Sequence, residues 1–240
     1  MPSPSLPPLE PLAQRCGTPD ASSSVLWFPA RDGAPLDGAV VGSGTVGVVL
    51  GHQFPAELCG WWPFAVYLAH HGVRVLLFDF RCMGESPCPK GNGSDVDDMV
   101  GAAAELRRLG AKHVFLMGAS LGGTVAMIAG PQVSPRPAGV VSLSGEPDLG
   151  YLTGGFTRLD ALSAVPKLRA PFLEIMARGD TAISPAEART LLARVGSRDK
   201  RLIVLPPAFG HGWNIVTEGD GSPTSIAPTV LRFVQSHERG

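Results

Sequence analysis

Residues 113–127, HVFLMGASLGGTVAM, form the stretch of sequence that decides the fold. Residues 114–117 are all apolar, which is typical of a strand buried on both faces of a sheet. From Leu121 an apolar pattern typical of a helix follows immediately. The stretch therefore predicts a strand, a tight turn at residues 118–122 and a helix, which is the repeating unit of an α/β fold.

Similar apolar runs recur along the chain, and helical patterns fall between them. The other predicted strands are Val25–Phe28, Val46–Leu50, Val73–Phe78, Gly139–Leu143, Pro171–Met176 and Arg201–Leu205. One helix is marked by the capping box at Ser184–Glu187, with Pro185 at its first position. Alternating strands and helices predict right-handed crossovers and a mainly parallel sheet. The fold class is therefore α/β, with one doubly wound sheet and helices on both faces.

The composition supports one sizeable core and excludes several classes of function. The chain has 240 residues, of which 44% are hydrophobic and 17% charged, with 30 glycines and 23 prolines. This is too apolar for a disordered protein, and a net charge of −1 offers nothing to nucleic acid or anionic lipid. Residues 1–22 contain six prolines and are expected to form an extended or disordered arm. Residues 23–240 are expected to form the folded domain.

Ser120 is the candidate nucleophile, because residues 118–122 match the pattern G-x-S-x-G. The pattern alone is weak in a glycine-rich chain, where an ordinary turn is the alternative. The predicted strand before it and helix after it supply the context that the chemistry needs. A strained turn of this kind exposes the serine hydroxyl at the end of a strand and at the positive end of a helix.

His211 and Asp180 are the candidate base and orienting acid. His211 follows the last predicted strand, and the carboxyl ends of parallel strands are where such sites assemble. Asp180 follows the preceding strand, which gives the chain order Ser, Asp, His. Glu146 and Asp148 compete for the role of Asp180, because they follow an earlier strand.

These features together resemble the α/β-hydrolase superfamily from about residue 25 to the end of the chain. A further match is DFRCMGES, residues 79–86, which is similar to the family segment D-x-R-G-x-G-x-S, with Cys82 in place of the first glycine. We expect Asp79 and Arg81 to be structural. The resemblance implies a serine esterase or thioesterase with a minimal lid.

The resemblance also implies an oxyanion hole built from backbone N–H groups. The segment LGHQFP, residues 50–55, follows a predicted strand as the family's His-Gly loop does, but Gln53 replaces the glycine. In this register the donors are Phe54 and Leu121, with Gln53 as the alternative to Phe54. His52 is expected to make a structural hydrogen bond.

Aromatic residues near these loops are candidates for an apolar substrate pocket. They are Trp61, Trp62, Phe156 and Trp213. Such a pocket would accept a small-molecule ester or thioester with an apolar group. Packing of a helix against the sheet is an equal alternative for each tryptophan.

No cofactor or metal is expected. The segment GSGTVG, residues 42–47, matches the dinucleotide fingerprint G-x-G-x-x-G, but it leads into a predicted strand rather than a helix. A hairpin turn is the favoured interpretation. The four cysteines have no zinc-site spacing and are expected to be buried free thiols, with a Cys82–Cys88 bridge as the alternative.

The expected location is the cytoplasm, because the N-terminus lacks the basic and apolar regions of a signal peptide. No apolar run has the length of a membrane span, and the sequence does not indicate the oligomeric state.

The expected function is hydrolysis of a carboxylic ester or thioester through an acyl-enzyme, with Ser120, Asp180 and His211 as the triad. Lactone or amide hydrolysis, acyl transfer and perhydrolysis would use the same residues. A non-catalytic protein that binds an apolar ligand on this scaffold is a further alternative.

Overall fold

An eight-stranded sheet forms the centre of the molecule in the computed structural model, which describes residues 6–18, 23–91, 93–150 and 158–238. Its strands are β1 (Ser24–Pro29), β2 (Pro35–Val41), β3 (Val46–Gly51), β4 (Arg74–Phe78), β5 (His113–Ala119), β6 (Gly139–Leu143), β9 (Phe172–Ala177) and β10 (Lys200–Leu205). Two short strands, β7 (Asp148–Leu149) and β8 (Leu159–Asp160), pair separately. The order across the large sheet is β1-β2-β4-β3-β5-β6-β9-β10.

The six strands from β4 to β10 in this order are parallel, and β2 is antiparallel to both β1 and β4. The predicted mainly parallel α/β sheet is confirmed. The strand β2 was not predicted, because Asp37 and Gly38 interrupt its apolar pattern. Gly38 is needed there, since a Cβ would press against the ring of Phe28.

Helices cover both faces of the sheet. They are α1 (Leu12–Arg15), α2 (Trp62–His70), α3 (Asp95–Arg108), α4 (Leu121–Ala129), α5 (Ala161–Ala164), α6 (Pro185–Arg194) and α7 (Ala227–Ser236). The helices α3, α4, α5 and α6 supply one core layer, and α1, α2 and α7 supply the other. In the part of the chain that the structure describes, no helix has both the length and the apolar character to cross a membrane.

The glycine-rich segment at residues 42–47 does not form the predicted hairpin. The strands on either side of it, β2 and β3, are separated in the sheet by β4. The connection passes against the backbone before β4, where a Cβ on Gly42 or Gly44 would overlap the carbonyl groups of Val73 or Gly72. The glycines therefore allow a close crossing, and the segment then enters a strand.

The N-terminal segment is not wholly an extended arm. Leu12 is buried in the core, and Arg15 forms ion pairs with Asp37 and Asp79, which are 1% and 0% exposed. Burial raises the pKa of Asp37 to about 6, although Arg15 opposes this effect. The helical turn α1 is therefore docked against the sheet by both apolar and charged contacts.

All four cysteines are paired, which corrects the expectation of free thiols. One disulfide joins Cys16 to Cys59 and the other joins Cys82 to Cys88. Cys82, which stands at the family's glycine position, has a φ of +64°, in the region that favours glycine. Disulfides persist mainly in oxidising compartments, so this pairing argues against the expected cytoplasmic location.

Loss of the Cys16–Cys59 disulfide is expected to lower stability substantially. The bridge spans 43 residues, for which loop-closure entropy gives an upper figure of about 4 kcal/mol. The double variant Cys16→Ser/Cys59→Ser should lose about 2–4 kcal/mol of unfolding free energy in urea titrations.

The matched control is Cys82→Ser/Cys88→Ser, which opens a loop of only 6 residues and should lose less. Equal losses in the two double variants would contradict this explanation.

Candidate active site

Ser120 lies at a sharp turn between β5 and α4. Its backbone has a φ of +50° and a ψ of −115°, which is unusual for any residue other than glycine. The Ser120 N–H donates to the carbonyl of Leu143 in the neighbouring strand region at 2.8 Å. The predicted strand, turn and helix are all present, and the serine occupies the strained position.

Close backbone contacts explain why the residues two positions before and after Ser120 are glycines. A Cβ on Gly118 would overlap the backbone of Gly122, and a Cβ on Gly122 would overlap the carbonyl of Gly51 at the end of β3. The Gly122 N–H also donates to the carbonyl of His52 at 3.1 Å. The turn is therefore packed backbone against backbone on the loop that follows β3.

His211 and Asp180 are in direct contact. The Nδ1 atom of His211 lies 2.9 Å and 3.0 Å from the two carboxylate oxygens of Asp180. The His211 side chain is 33% exposed and that of Asp180 is fully buried. Gly210 and Gly212, at φ values of +65° and +62°, allow the sharp loop that presents the imidazole.

The carboxylate of Asp180 is held in its ionised form. Burial would raise its pKa, but hydrogen bonds from His211, Ser144 and the Ala182 N–H outweigh burial and lower the pKa below its usual value. An ionised acid beside Nδ1 selects the tautomer in which Nε2 is free to accept a proton.

Ser144 is a site residue that sequence analysis missed. Its φ is +57°, and its Oγ accepts a hydrogen bond from the Gly212 N–H at 3.2 Å. Its hydroxyl also contributes to the low pKa of Asp180. A serine directly after a predicted strand was the available signal, but nothing local indicated its two distant partners.

The loop that carries His211, residues 206–213, is called the base loop. It lies next to the turn that carries Ser120, residues 118–122, which is called the serine turn. A Cβ placed on Gly212 would come within 3.5 Å of the Cβ of Ala119, the residue before Ser120. The structure therefore brings the three predicted residues Ser120, His211 and Asp180 to the same edge of the sheet. This is the edge where parallel strands end, as the sequence predicted.

The competing acids occupy other positions. Asp148 pairs with Arg158 through its carboxylate. Burial raises the pKa of Glu146, and the charge of Asp180 adds to this effect while that of His211 opposes it. Only Asp180, among the three candidates, hydrogen-bonds the imidazole of His211.

The loop after β3 is held by His52, which is fully buried. Its Nδ1 donates to the Gln53 carbonyl at 2.9 Å, and its Nε2 accepts the Phe80 N–H at 3.1 Å. Both ring nitrogens are used, and burial lowers the pKa of the imidazole. His52 is therefore a neutral support for the loop that carries Gln53 and Phe54.

The N–H of Leu121 is available as a donor at the serine turn. Leu121 is the first residue of α4, and the first N–H groups of a helix have no acceptor within it. This N–H adjoins Ser120, which is the usual place for an oxyanion donor.

The structure favours core packing for two of the predicted pocket residues. Trp61 is fully buried and donates its indole N–H to the Gly51 carbonyl at 2.9 Å, and Trp62 is also buried. Trp213 is half-buried and packs edge-on against Trp61. Phe156 lies outside the described residues.

Glu174 is a buried acid below this edge of the sheet. It lies in the middle of β9, paired in register with Ser142, and neither carboxyl oxygen makes a direct hydrogen bond among the described residues. Burial raises its pKa well above the usual value, although Ser142 and Gly145 oppose the effect from nearby. Burial therefore favours the protonated, uncharged form of Glu174.

Within the described ranges, no group of three or more His, Cys, Asp or Glu side chains is arranged to hold a metal ion. The titratable groups gathered at this edge are instead an imidazole and carboxyl groups, which are suited to moving a proton.

The fold and this site geometry agree with a comparison of the sequence with known families. The model of the family described as alpha/beta hydrolase fold matches residues 47–178, which is more than half of the chain. The chain belongs to this family. A search of curated proteins gave no match.

Several solved structures share the fold. An esterase from Pyrococcus furiosus is 17% identical with a TM-score of 0.74, over 89% of this chain and 90% of that one. An esterase from Exiguobacterium antarcticum is 16% identical with a TM-score of 0.69, over 88% and 100%. A monoacylglycerol lipase from Paleococcus ferrophilus is 20% identical with a TM-score of 0.66, over 84% and 99%. At these identities the likeness establishes the fold.

Substitution of Gly122 is expected to disrupt the serine turn. In Gly122→Ala the added methyl group overlaps the Gly51 carbonyl, so backbone atoms must move, at a cost of about 1–3 kcal/mol. Thermal unfolding should show a clear loss of stability. The control is Gly219→Ala, where a Cβ meets nothing within 4 Å, and an equal effect there would contradict the steric argument.

Stability is expected to depend on the ionisation of Glu174. Burial raises the pKa of Glu174 in the folded state. The contribution of Glu174 to the free energy of unfolding is therefore fully present below its unfolded pKa of about 4.3, and it falls as the pH rises toward the folded pKa. Glu174→Gln stays neutral and should gain stability relative to wild type between pH 5 and pH 8 in urea titrations. The exposed control Glu218→Gln should follow wild type, and parallel curves for all three proteins would argue against a buried neutral acid.

Proposed function

We propose that the protein is a serine hydrolase that cleaves carboxylic esters or thioesters through an acyl-enzyme. The observation that carries the proposal is the contact between His211 and the ionised Asp180, beside a serine on a strained strand-to-helix turn. An imidazole oriented by a buried carboxylate is the base that a serine hydroxyl needs in order to react.

In the first half of the reaction, the Oγ of Ser120 forms a bond to the carbonyl carbon of the substrate, and Nε2 of His211 takes the hydroxyl proton. The negative charge that develops on the carbonyl oxygen is stabilised by backbone N–H groups, for which we propose Leu121 and Phe54. The carbon–oxygen or carbon–sulfur bond to the leaving group then breaks. His211 returns the proton to the departing alcohol or thiol, which leaves the acyl group on Ser120.

In the second half, water attacks the acyl carbon while His211 accepts a proton from it. The bond to Ser120 breaks, His211 returns the proton to the serine oxygen, and the carboxylic acid is released. Asp180 keeps the imidazole in one tautomer and stabilises the positive charge that His211 carries in both halves. No other group is required for this proton balance.

An ester is the substrate class with the broadest support. The solved structures that share the fold include two esterases and a monoacylglycerol lipase, which are named for ester substrates. A thioester presents the same acyl carbon with a sulfur leaving group, so the same residues would serve it.

The triad variants test this proposal directly. Ser120→Ala and His211→Ala should each abolish ester hydrolysis, since they remove the nucleophile and the base. Asp180→Asn should be severe but about 10–100-fold milder, because the acid acts through the imidazole. Rates on short- and medium-chain p-nitrophenyl esters provide the measurement, and Asp220→Asn, at an exposed aspartate, is the matched control.

Labelling with a fluorophosphonate makes the test independent of the natural substrate. Mass spectrometry should locate the adduct on Ser120 in wild type and find none in His211→Ala. An adduct on a different residue, or undiminished hydrolysis by Ser120→Ala, would refute the proposal. Full activity in Asp180→Asn would transfer the acid role to Glu146 or Asp148.

A further inference from the structure

The side chain of Gln53 joins two loops that carry different parts of the site. Its Oε1 accepts a hydrogen bond from the N–H of Trp213 at 3.3 Å, across 160 residues of sequence. A Cβ on Gly212 would overlap the same oxygen, so the carboxamide lies directly on the backbone that follows His211. Because an N–H donor requires an acceptor, the contact also fixes which end of the amide faces Trp213.

The ring of Trp213 makes a second contact with the same segment of chain. A Cβ on Gly60 would overlap three atoms of the indole, and the ring of Trp61 lies edge-on with centroids 6.0 Å apart. Both contacts of Trp213 are thus with residues 53–61. Cys59, in the same segment, is fixed through its disulfide to Cys16.

These contacts matter because the residues on both sides of His211 are glycines, which restrict the backbone less than other residues do. His211 stands between Gly210 and Gly212, both of which adopt backbone angles that cost glycine little. The imidazole is fixed by Asp180, and the Gly212 N–H is fixed by Ser144. Neither contact connects the base loop to the loop after β3.

The other end of the Gln53 connection is rigid. The Gln53 carbonyl accepts from His52, whose ring is buried and bonded to the backbone of Phe80. In the same loop, the His52 carbonyl accepts a hydrogen bond from the N–H of Gly122, two residues after Ser120. A displacement of Trp213 relative to Gln53 would therefore change the position of His211 relative to the serine turn.

We propose that Gln53 is a positioning residue that latches the His211 loop to the loop after β3. This inference rests on the proposed function, since it assigns to Gln53 the alignment of the base with the serine and the oxyanion donors. Gln53 acts through Trp213 and does not itself touch the reacting atoms. We refer to the Gln53–Trp213 contact as the latch.

Two substitutions separate the hydrogen bond from the charge at this position. Gln53→Met keeps the length of the side chain and removes the acceptor, so the latch is lost. Gln53→Glu keeps an acceptor oxygen for the Trp213 N–H and adds a negative charge near His211. Gln235→Met, at an exposed position on α7, is the matched control.

The kinetic expectation follows from the loss of one hydrogen bond that aligns the base. Gln53→Met should lower kcat on p-nitrophenyl esters by about 5–10-fold, with KM within about twofold of wild type. The rate of fluorophosphonate labelling at Ser120 should fall by a similar factor. Thermal stability should stay close to that of the Gln235→Met control.

The pH profile provides a measurement that a purely structural role would not change. The charged groups that already face His211 are Asp180 and, more distantly, Glu146. A further negative charge in Gln53→Glu favours the protonated imidazole, so the acidic limb of kcat/KM should move to higher pH by about half a unit or more. Its kcat at the optimum should recover most of the loss seen in Gln53→Met.

Amide hydrogen exchange tests the latch without any substrate. The Trp213 N–H should be protected in wild type and Gln53→Glu, and should exchange faster in Gln53→Met. Wild-type labelling of Ser120 together with an unchanged kcat in Gln53→Met would overturn the positioning role alone. Absence of labelling in wild type would instead refute the proposed function, and unprotected Trp213 in wild type would refute the latch.

Discussion

The close backbone contact between the start of α4 and the end of β3 is the constraint on which the rest of the site depends. Gly122 lies so near the carbonyl of Gly51 that no side chain fits between them, and its N–H bonds to His52. This contact joins the turn that bears Ser120 to the loop after β3. Because the contact is made of backbone atoms, a larger residue at Gly122 cannot be accommodated by a change of side-chain rotamer. The remaining groups, His211 and Asp180, are brought to this fixed centre by the ends of neighbouring parallel strands.

The features that the sequence predicted well are those with local signals. A strand, a small-residue turn and a helix follow one another at Ser120, so the turn can be identified from about fifteen residues. His211 and Asp180 each lie in the loop that follows an apolar run, and the carboxyl ends of parallel strands share one edge of a sheet. The capping box at Ser184 likewise predicted the helix that begins at Pro185. In each case the residues that determine the structure are adjacent along the chain.

The features that the sequence did not predict depend on partners that are distant along the chain. The strand β2 contains the buried Asp37, which forms an ion pair with Arg15, 22 residues earlier in the chain. The pairing of Cys16 with Cys59 follows from the same docking. The contact of Gln53 with Trp213 crosses 160 residues, and no local pattern specifies it. The tryptophans after the β3 loop gave an ambiguous signal, since an aromatic residue near a site can line a pocket or fill the core, and Trp61 does the latter.

The ion pairs of Arg15 have a consequence for how the polypeptide can be shortened. Asp37 and Asp79 belong to the sheet region, yet the cation between them is supplied by a segment that a domain boundary drawn at residue 23 would discard. A recombinant fragment starting there would contain every strand of the sheet and every residue of the site. It would also enclose two carboxylates with the guanidinium removed, and an uncompensated buried charge costs several kcal/mol. The helical turn α1 thus supplies the counterion for two buried carboxylates of the sheet region, and a fragment that begins at residue 23 is expected to be less stable than the full chain.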